Sequence, residues 1–241
     1  MGSDPWGLTP FPARDLRRPV GSDPTGLTPV SASALFAVLL GGALVVLLLG
    51  IAYEHHPVAT IDREVAQWVA ESMPLWAEWI GRFFSWLGGW FGWTLITAGL
   101  LVLLVTNGRG RDALWAAATI AAIYLVVTPL LKELFDRPRP DVGSAVPLPF
   151  SYSFPSGHSS GAVVMFGVLA LLGAERWPER TRPLCVGAAI VAFAIGASRV
   201  VLNVHHVSDV LAGFALGLAW LAAMLLVRGS RRLIGNSRRD G

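Results

Sequence analysis

The sequence predicts an all-α membrane protein, a polytopic bundle of six transmembrane helices, and three observations support this. The chain of 241 residues is 54% hydrophobic and only 15% charged, less charge than a soluble domain usually carries. Residues without Asp, Glu, Lys or Arg gather in six runs, 24–53, 83–108, 113–131, 142–174, 183–198 and 210–227. About 20 apolar residues cross a bilayer core as a helix, so most of these runs are long enough to span it. Ten tryptophans add a residue type that gathers at membrane interfaces.

Residues 1–32 read as a disordered tail. The segment 2–10 recurs almost unchanged as 21–29, and its Pro and Gly density cannot build a packed core. Within the runs, helices are expected at 33–52, 85–106, 112–132, 157–174, 183–199 and 207–228, which makes 33–228 the membrane domain. The first apolar run is long and has no persuasive small-residue cleavage site, so it reads as an uncleaved helix rather than a signal peptide. The fifth run is short, which puts Arg199 at or just inside the membrane edge with its side chain directed to a polar site. Residues 229–241 form a basic tail.

Between the first two spans, Asp62, Glu64, Glu71 and Glu78 interleave with Val65, Trp68, Val69, Leu75 and Trp76 at near-helical spacing. Short helices lying along the interface are expected there, with Trp68, Trp76, Trp79, Trp86, Trp90 and Trp93 as an aromatic belt. His55 and His56 read as loop residues. Cys185 stands alone, which excludes an intrachain disulfide and a cysteine-based zinc site, and it reads as a small buried apolar residue. Since no Asp-rich or His-rich metal pattern occurs, neither metal nor cofactor is expected. Nucleic acid is not an expected partner.

Basic residues set the orientation. Thirteen arginines lie on the side holding the tail, the second and fourth loops and the C-terminus; six cations, Arg63, Arg82, Lys132, Arg137, Arg139 and Arg199, lie on the other. By the positive-inside rule both termini are cytoplasmic. Three polar islands then share the outer face.

The first island is Lys132, six residues, then Arg139-Pro140. Pro138 and Pro140 disfavour helix before them, so the third span should end near Lys132 while Arg139 returns on extended chain. The two cations could converge on one anion, or be a snorkelling lysine and topology-setting arginines. The second island, Pro155-Ser156-Gly157-His158, opens the fourth helix. Ser156 is in cap position, Gly157 allows close backbone approach, and the helix start favours an anion beside His158. The third is Ser198-Arg199, five residues, His205, three residues, Asp209. His205 and Asp209 should share a helix face, where the carboxylate would fix the imidazole tautomer and free the other nitrogen to attack. His206, three residues from Asp209, satisfies helix geometry equally well.

Together these residues resemble the three signatures of the type 2 phosphatidic acid phosphatase family, lipid phosphatases that share their core with vanadium haloperoxidases. The resemblance covers about residues 132–209. It implies that Lys132, Arg139, Arg199, Ser156 and the backbone at Gly157 and His158 hold a phosphate. It also implies that His205, selected by its spacing from Arg199, attacks to form a phosphohistidine, that His158 protonates the leaving group, and that Asp209 orients His205. A metal-independent lipid phosphate phosphatase follows, acting on phosphatidic acid, phosphatidylglycerol phosphate or polyprenyl diphosphate, the last favoured slightly by an outward site. Alternatives are a lipid phosphotransferase using the same histidine, a non-catalytic lipid-binding or transport protein, and, least favoured, a haloperoxidase.

Overall fold

The computed structural model describes residues 31–55 and 57–237, with side chains through Gly229. The duplicated tail and His56 lie outside the described residues. The helices are α1 (Ala32–Ala52), α2 (Val58–Ser72), α3 (Leu75–Leu87), α4 (Trp90–Thr106), α5 (Gly110–Ala122), α6 (Thr128–Phe135), α7 (Gly157–Arg176), α8 (Thr181–Val201) and α9 (Val207–Ser237). A π-helical stretch, Ile123–Val127, joins α5 to α6, so the two make one span. Among the described residues five helical segments are long and apolar enough to cross a membrane, and α3 with α4, bent by 45°, make a sixth when the two are counted as one span.

That bent pair is where the second span departs from expectation. A helix from residue 85 is interrupted by Gly88-Gly89, with Gly89 extended, and the apolar stretch before the break belongs to α3. At the C-terminus the stretch apolar enough to cross a membrane is Val207–Gly229, and α9 continues beyond it to Ser237, so the residues after 229 begin as helix. Trp68, Trp76, Trp79, Trp86 and Trp90 are exposed. Trp93 is not part of that set, for it turns inward and stacks on Tyr124 with ring centroids 4.6 Å apart. Cys185 is exposed on α8 rather than buried; in a bilayer an apolar residue is satisfied by lipid and needs no protein around it.

Around α7 and α9 the core packs Ala116, Ile120, Ile123, Phe154, Val164, Val168 and Ala212. Lipid is as apolar as leucine, so close approach of small residues has to supply much of the attraction between helices. At Gly213 of α9 an added Cβ would lie 2.6 Å from the Ser156 carbonyl oxygen and 2.7 Å from Ser159 Cβ. This contact sets the start of α7 against the start of α9. Gly213→Ala is therefore expected to cost about 1–3 kcal/mol through overpacking and to lower activity, whereas Gly99→Ala, with nothing within 4 Å, should do neither. Thermal unfolding in detergent checks the pair, and equal midpoints would contradict the packing.

The far end of the bundle is closed by ion pairs. Arg228 reaches Asp112 at 2.6 Å and Glu175 at 3.1 Å, while Arg109 reaches the same two carboxylates at 2.7 and 2.8 Å. These pairs tie α5, α7 and α9 together and leave the opposite end to the three islands.

Candidate active site

Each island sits where a helix begins or ends. Lys132 lies on the last turn of α6, after which Asp136 takes a left-handed conformation (φ 39°) and stops the helix. From Arg137 the chain leaves the helix as an irregular loop that doubles back by residue 153, where Ser153 pins it by donating to the carbonyls of Arg137 and Pro138, both at 2.9 Å. Lys132 donates to the carbonyl of Tyr152. Arg139 donates to the carbonyls of Ser151 at 2.8 Å and Val204 at 2.7 Å, and it lies 3.3 Å from Nε2 of His205. The first and third islands thus meet through Arg139.

The second island joins them through backbone. Ser156 caps α7, and its amide donates to the Asp209 carbonyl at 3.0 Å. The Ser156 hydroxyl is buried and engaged by the amide and hydroxyl of Ser159. In this island the Ser156 hydroxyl keeps its own proton to donate, and the first-turn amides at Gly157 and His158 have no intrahelical acceptor. His158 is half-buried against the α3–α4 break. It hydrogen bonds to the Ser85 backbone, and its Nε2 lies 3.5 Å from where a Cβ on Gly89 would be.

In the third island Arg199 occupies the last turn of α8 and is buried. Its carbonyl accepts from the amides of Val204 and His205 at 3.1 and 3.3 Å, which folds the following loop back over it. Asn203, at φ 53°, makes the reversal, a conformation asparagine tolerates better than most residues. Its side-chain amide is anchored to the carbonyls of Ala66, Val142 and Gly143. The Arg199 guanidinium donates to the Ser85 hydroxyl, and its Nε is buried without a protein acceptor.

His205 and Asp209 do pair, but not along a shared helix face. The histidine precedes α9, and Asp209 in the first turn reaches back. Its Oδ2 lies 3.3 Å from His205 Nδ1 and accepts the His206 amide at 2.9 Å, the return half of a capping box. The hydrogen bond from His206 to Asp209 comes from that amide, while its ring is hydrogen-bonded to the Asp62 backbone. Burial pulls the His205 imidazole down to about 3; Asp209 opposes this, and Arg199 and Arg139 add to it. His205 is therefore neutral near pH 7, with the Nδ1 proton on the Asp209 side and the Nε2 lone pair toward Arg139.

Four residues near the site were not singled out in the sequence as part of it. Arg137 was counted only as an outer cation, yet it is buried and bridges Asp209 at 2.6 Å and Asp62 at 2.7 Å. Asp62 was assigned to the polar face of an interfacial helix, yet it is 3% exposed. Ser208 and Ser85 complete the set. The only available signal was Arg137 within the Arg137-Pro138-Arg139-Pro140 repeat, since single polar residues in α2 and α3 carry no pattern.

Apolar helices that bring three cations to a buried histidine–aspartate pair define an integral membrane protein with an anion-handling site. A family model described as PAP2 superfamily matches residues 112–233, half of the chain, and the chain belongs to that superfamily. It is similar to phosphatidylglycerophosphatase B of Bacillus subtilis (strain 168), 35% identical over 128 residues, 49% of this chain and 63% of that protein. It is also similar to lipid A 1-phosphatase of Rhizobium johnstonii, 34% identical over 140 residues, 52% of this chain and 54% of that protein. The chain thus spans between half and two thirds of the length of these relatives. Its fold matches the crystal structure of a transmembrane PAP2 type phosphatidylglycerolphosphate phosphatase from Bacillus subtilis with a TM-score of 0.72 and 28% identity, covering 82% of this chain and 98% of that one.

Proposed function

We propose that this protein hydrolyses a lipid phosphate through a phosphohistidine, with phosphatidylglycerol phosphate the first candidate on the strength of the relatives' names. One arrangement carries the reading: Asp209 holds Nδ1 of His205 while Nε2 faces the Arg139 guanidinium. A phosphoryl group bound by Arg139, Lys132 and Arg199 would lie in line with that lone pair, and the partnerless Nε of Arg199 suits an anion oxygen. Nε2 forms a bond to phosphorus as the P–O bond to the lipid alcohol breaks, and His158 gives that oxygen its proton. Water, deprotonated by His158, then attacks phosphorus and frees His205 and inorganic phosphate. Besides the lipid substrate and water, both halves use only groups of this chain.

The decisive experiment is phosphate release by purified protein in detergent from phosphatidylglycerol phosphate, phosphatidic acid and polyprenyl diphosphate. Free phosphate is expected with at least one of them, surviving EDTA and blocked by vanadate, which mimics the trigonal-bipyramidal phosphoryl group. Transfer of the phosphoryl to an alcohol without free phosphate would mark a phosphotransferase, and binding without turnover a carrier. Activity lost in EDTA and restored by Mg²⁺ would refute the metal-free mechanism.

Two further outcomes are expected. With both termini cytoplasmic and the site outside, a cysteine in place of exposed Phe150 should label from outside, and one at Gly110 from inside, in a Cys185→Ser background. The reverse pattern would overturn the orientation. Because the neutral form attacks and the His205 pKa is lowered, the rate of phosphoenzyme formation, corrected for substrate ionisation, should not fall between about pH 7 and 5. An acid limb centred near 6.5 that belongs to His205 would contradict the burial.

A further inference from the structure

We propose that Arg137 and Asp62 are positioning residues: with Ser208 they form a buried ion-pair chain that holds Asp209, and through it the His205 imidazole, in the attacking orientation. This rests on the reading of His205 as nucleophile. The geometry behind it is a carboxylate with no freedom left. Asp209 Oδ2 serves His205 Nδ1 and the His206 amide, and Oδ1 receives Arg137 at 2.6 Å. Rotating the carboxylate about Cβ–Cγ would break all three contacts together.

Arg137 can resist that rotation only because it is itself anchored. Its second terminal nitrogen donates to Asp62 Oδ2 at 2.7 Å, and the same nitrogen that reaches Asp209 also donates to the Ser208 hydroxyl at 2.6 Å. Its guanidinium lies over the Tyr53 ring, 4.7 Å from the centroid. Asp62 in turn accepts the Ser208 amide at 3.0 Å and the Ser208 hydroxyl. One guanidinium between two carboxylates, all 3% exposed or less, is a costly arrangement, and losing one member leaves the others without compensation. Among the described residues the side chains of Arg137, Asp62 and Ser208 make their hydrogen bonds and ion pairs to one another, to the Ser208 amide and to Asp209, and none to the side chains of Lys132, Arg139 or Arg199, which points to orientation rather than phosphate affinity. Asp62 belongs to α2, which ties that helix to the positioning of Asp209.

The test compares Arg137→Gln, Arg137→Lys, Asp62→Asn and the Asp62→Asn/Arg137→Gln double variant with His205→Ala, using phosphatidylglycerol phosphate as substrate. A non-hydrolysable phosphonate analogue of that lipid reports on the phosphate cradle as a competitive inhibitor. Arg137→Gln is expected to lower kcat about 100-fold and Asp62→Asn about 10-fold, with KM and the phosphonate inhibition constant within about threefold. Arg137→Lys should fall between Arg137→Gln and the parent protein. The double variant should be no worse than Arg137→Gln, as for residues acting in one chain. Unchanged kcat in Arg137→Gln, or a kcat loss matched by loss of phosphonate affinity, would overturn the assignment. If Arg137→Gln fails to fold, Asp62→Asn, which keeps the side-chain shape, decides by the same split. Full activity in His205→Ala would instead overturn the underlying reading, and this inference with it.

Discussion

Replacing His205 by alanine is expected to lower turnover by about 10⁴-fold or more, as loss of a covalent nucleophile does. His206→Ala should keep at least about a third of it. The two residues are adjacent, but their rings meet different partners: His205 faces Asp209 and Arg139, whereas His206 faces the Asp62 backbone. Asp209→Asn should fall between them, since the amide keeps the shape and loses the charge that fixes the Nδ1 proton. His205 is 3% exposed, not a loosely held residue at a helix end, so alanine leaves a cavity. His205→Gln, closer in volume, is the companion that keeps folding separate from chemistry. The measurement is phosphate release together with rapid-quench trapping of acid-labile phosphohistidine. A label mapped to His206, or an active His205→Ala protein, would refute the assignment.

His158→Ala carries the second large effect, and its size should depend on the leaving group. General acid catalysis is worth about 10²–10⁴-fold, and it matters most when the departing oxygen is a poor leaving group such as a lipid alkoxide. With an aryl phosphate, whose phenolate departs unassisted, the loss should shrink to about tenfold. The position of His158 suits that expectation: the start of α7 holds it beside the first-turn amides, and its ring is hydrogen-bonded to the Ser85 backbone. Ser85 also receives Arg199 through its hydroxyl, so one residue of α3 holds both His158 and Arg199. An equal loss on alkyl and aryl substrates would make His158 a binding group instead.

How legible all this was in the sequence depended on how local each signal was. Span count, capping at Ser156 and the convergence of the three islands could be read because helix starts, prolines and charge-poor runs are properties of adjacent residues. The break at Gly88-Gly89 was hidden because the apolar run passes through it. Cys185 and Trp93 were misplaced for a related reason: in lipid, hydrophobicity does not tell the inside of a bundle from the outside. Asp62 and Arg137 were missed because their pairing joins residues 75 positions apart, and either one alone looks like a surface charge. The His205–Asp209 pairing was legible, but its cause was not, since it depends on a carboxylate turned back against the helix start.

The π-helical stretch Ile123–Val127 sits ahead of Thr128 and Lys132 in the same span. A stretch of this kind holds one residue more than an α-helix of the same length, which turns everything after it by about 100°. The first half of the span can therefore pack on α4 while the second half carries Lys132 to the carbonyl of Tyr152, at the meeting point of the islands. Excising one of those five apolar residues would restore an unbroken α-helix and rotate the lysine away from its partners. Every signature residue and every spacing between signatures would survive such a deletion. The result would be a protein that any pattern search accepts and that does no chemistry, because the phase of the helix is not written in the motif.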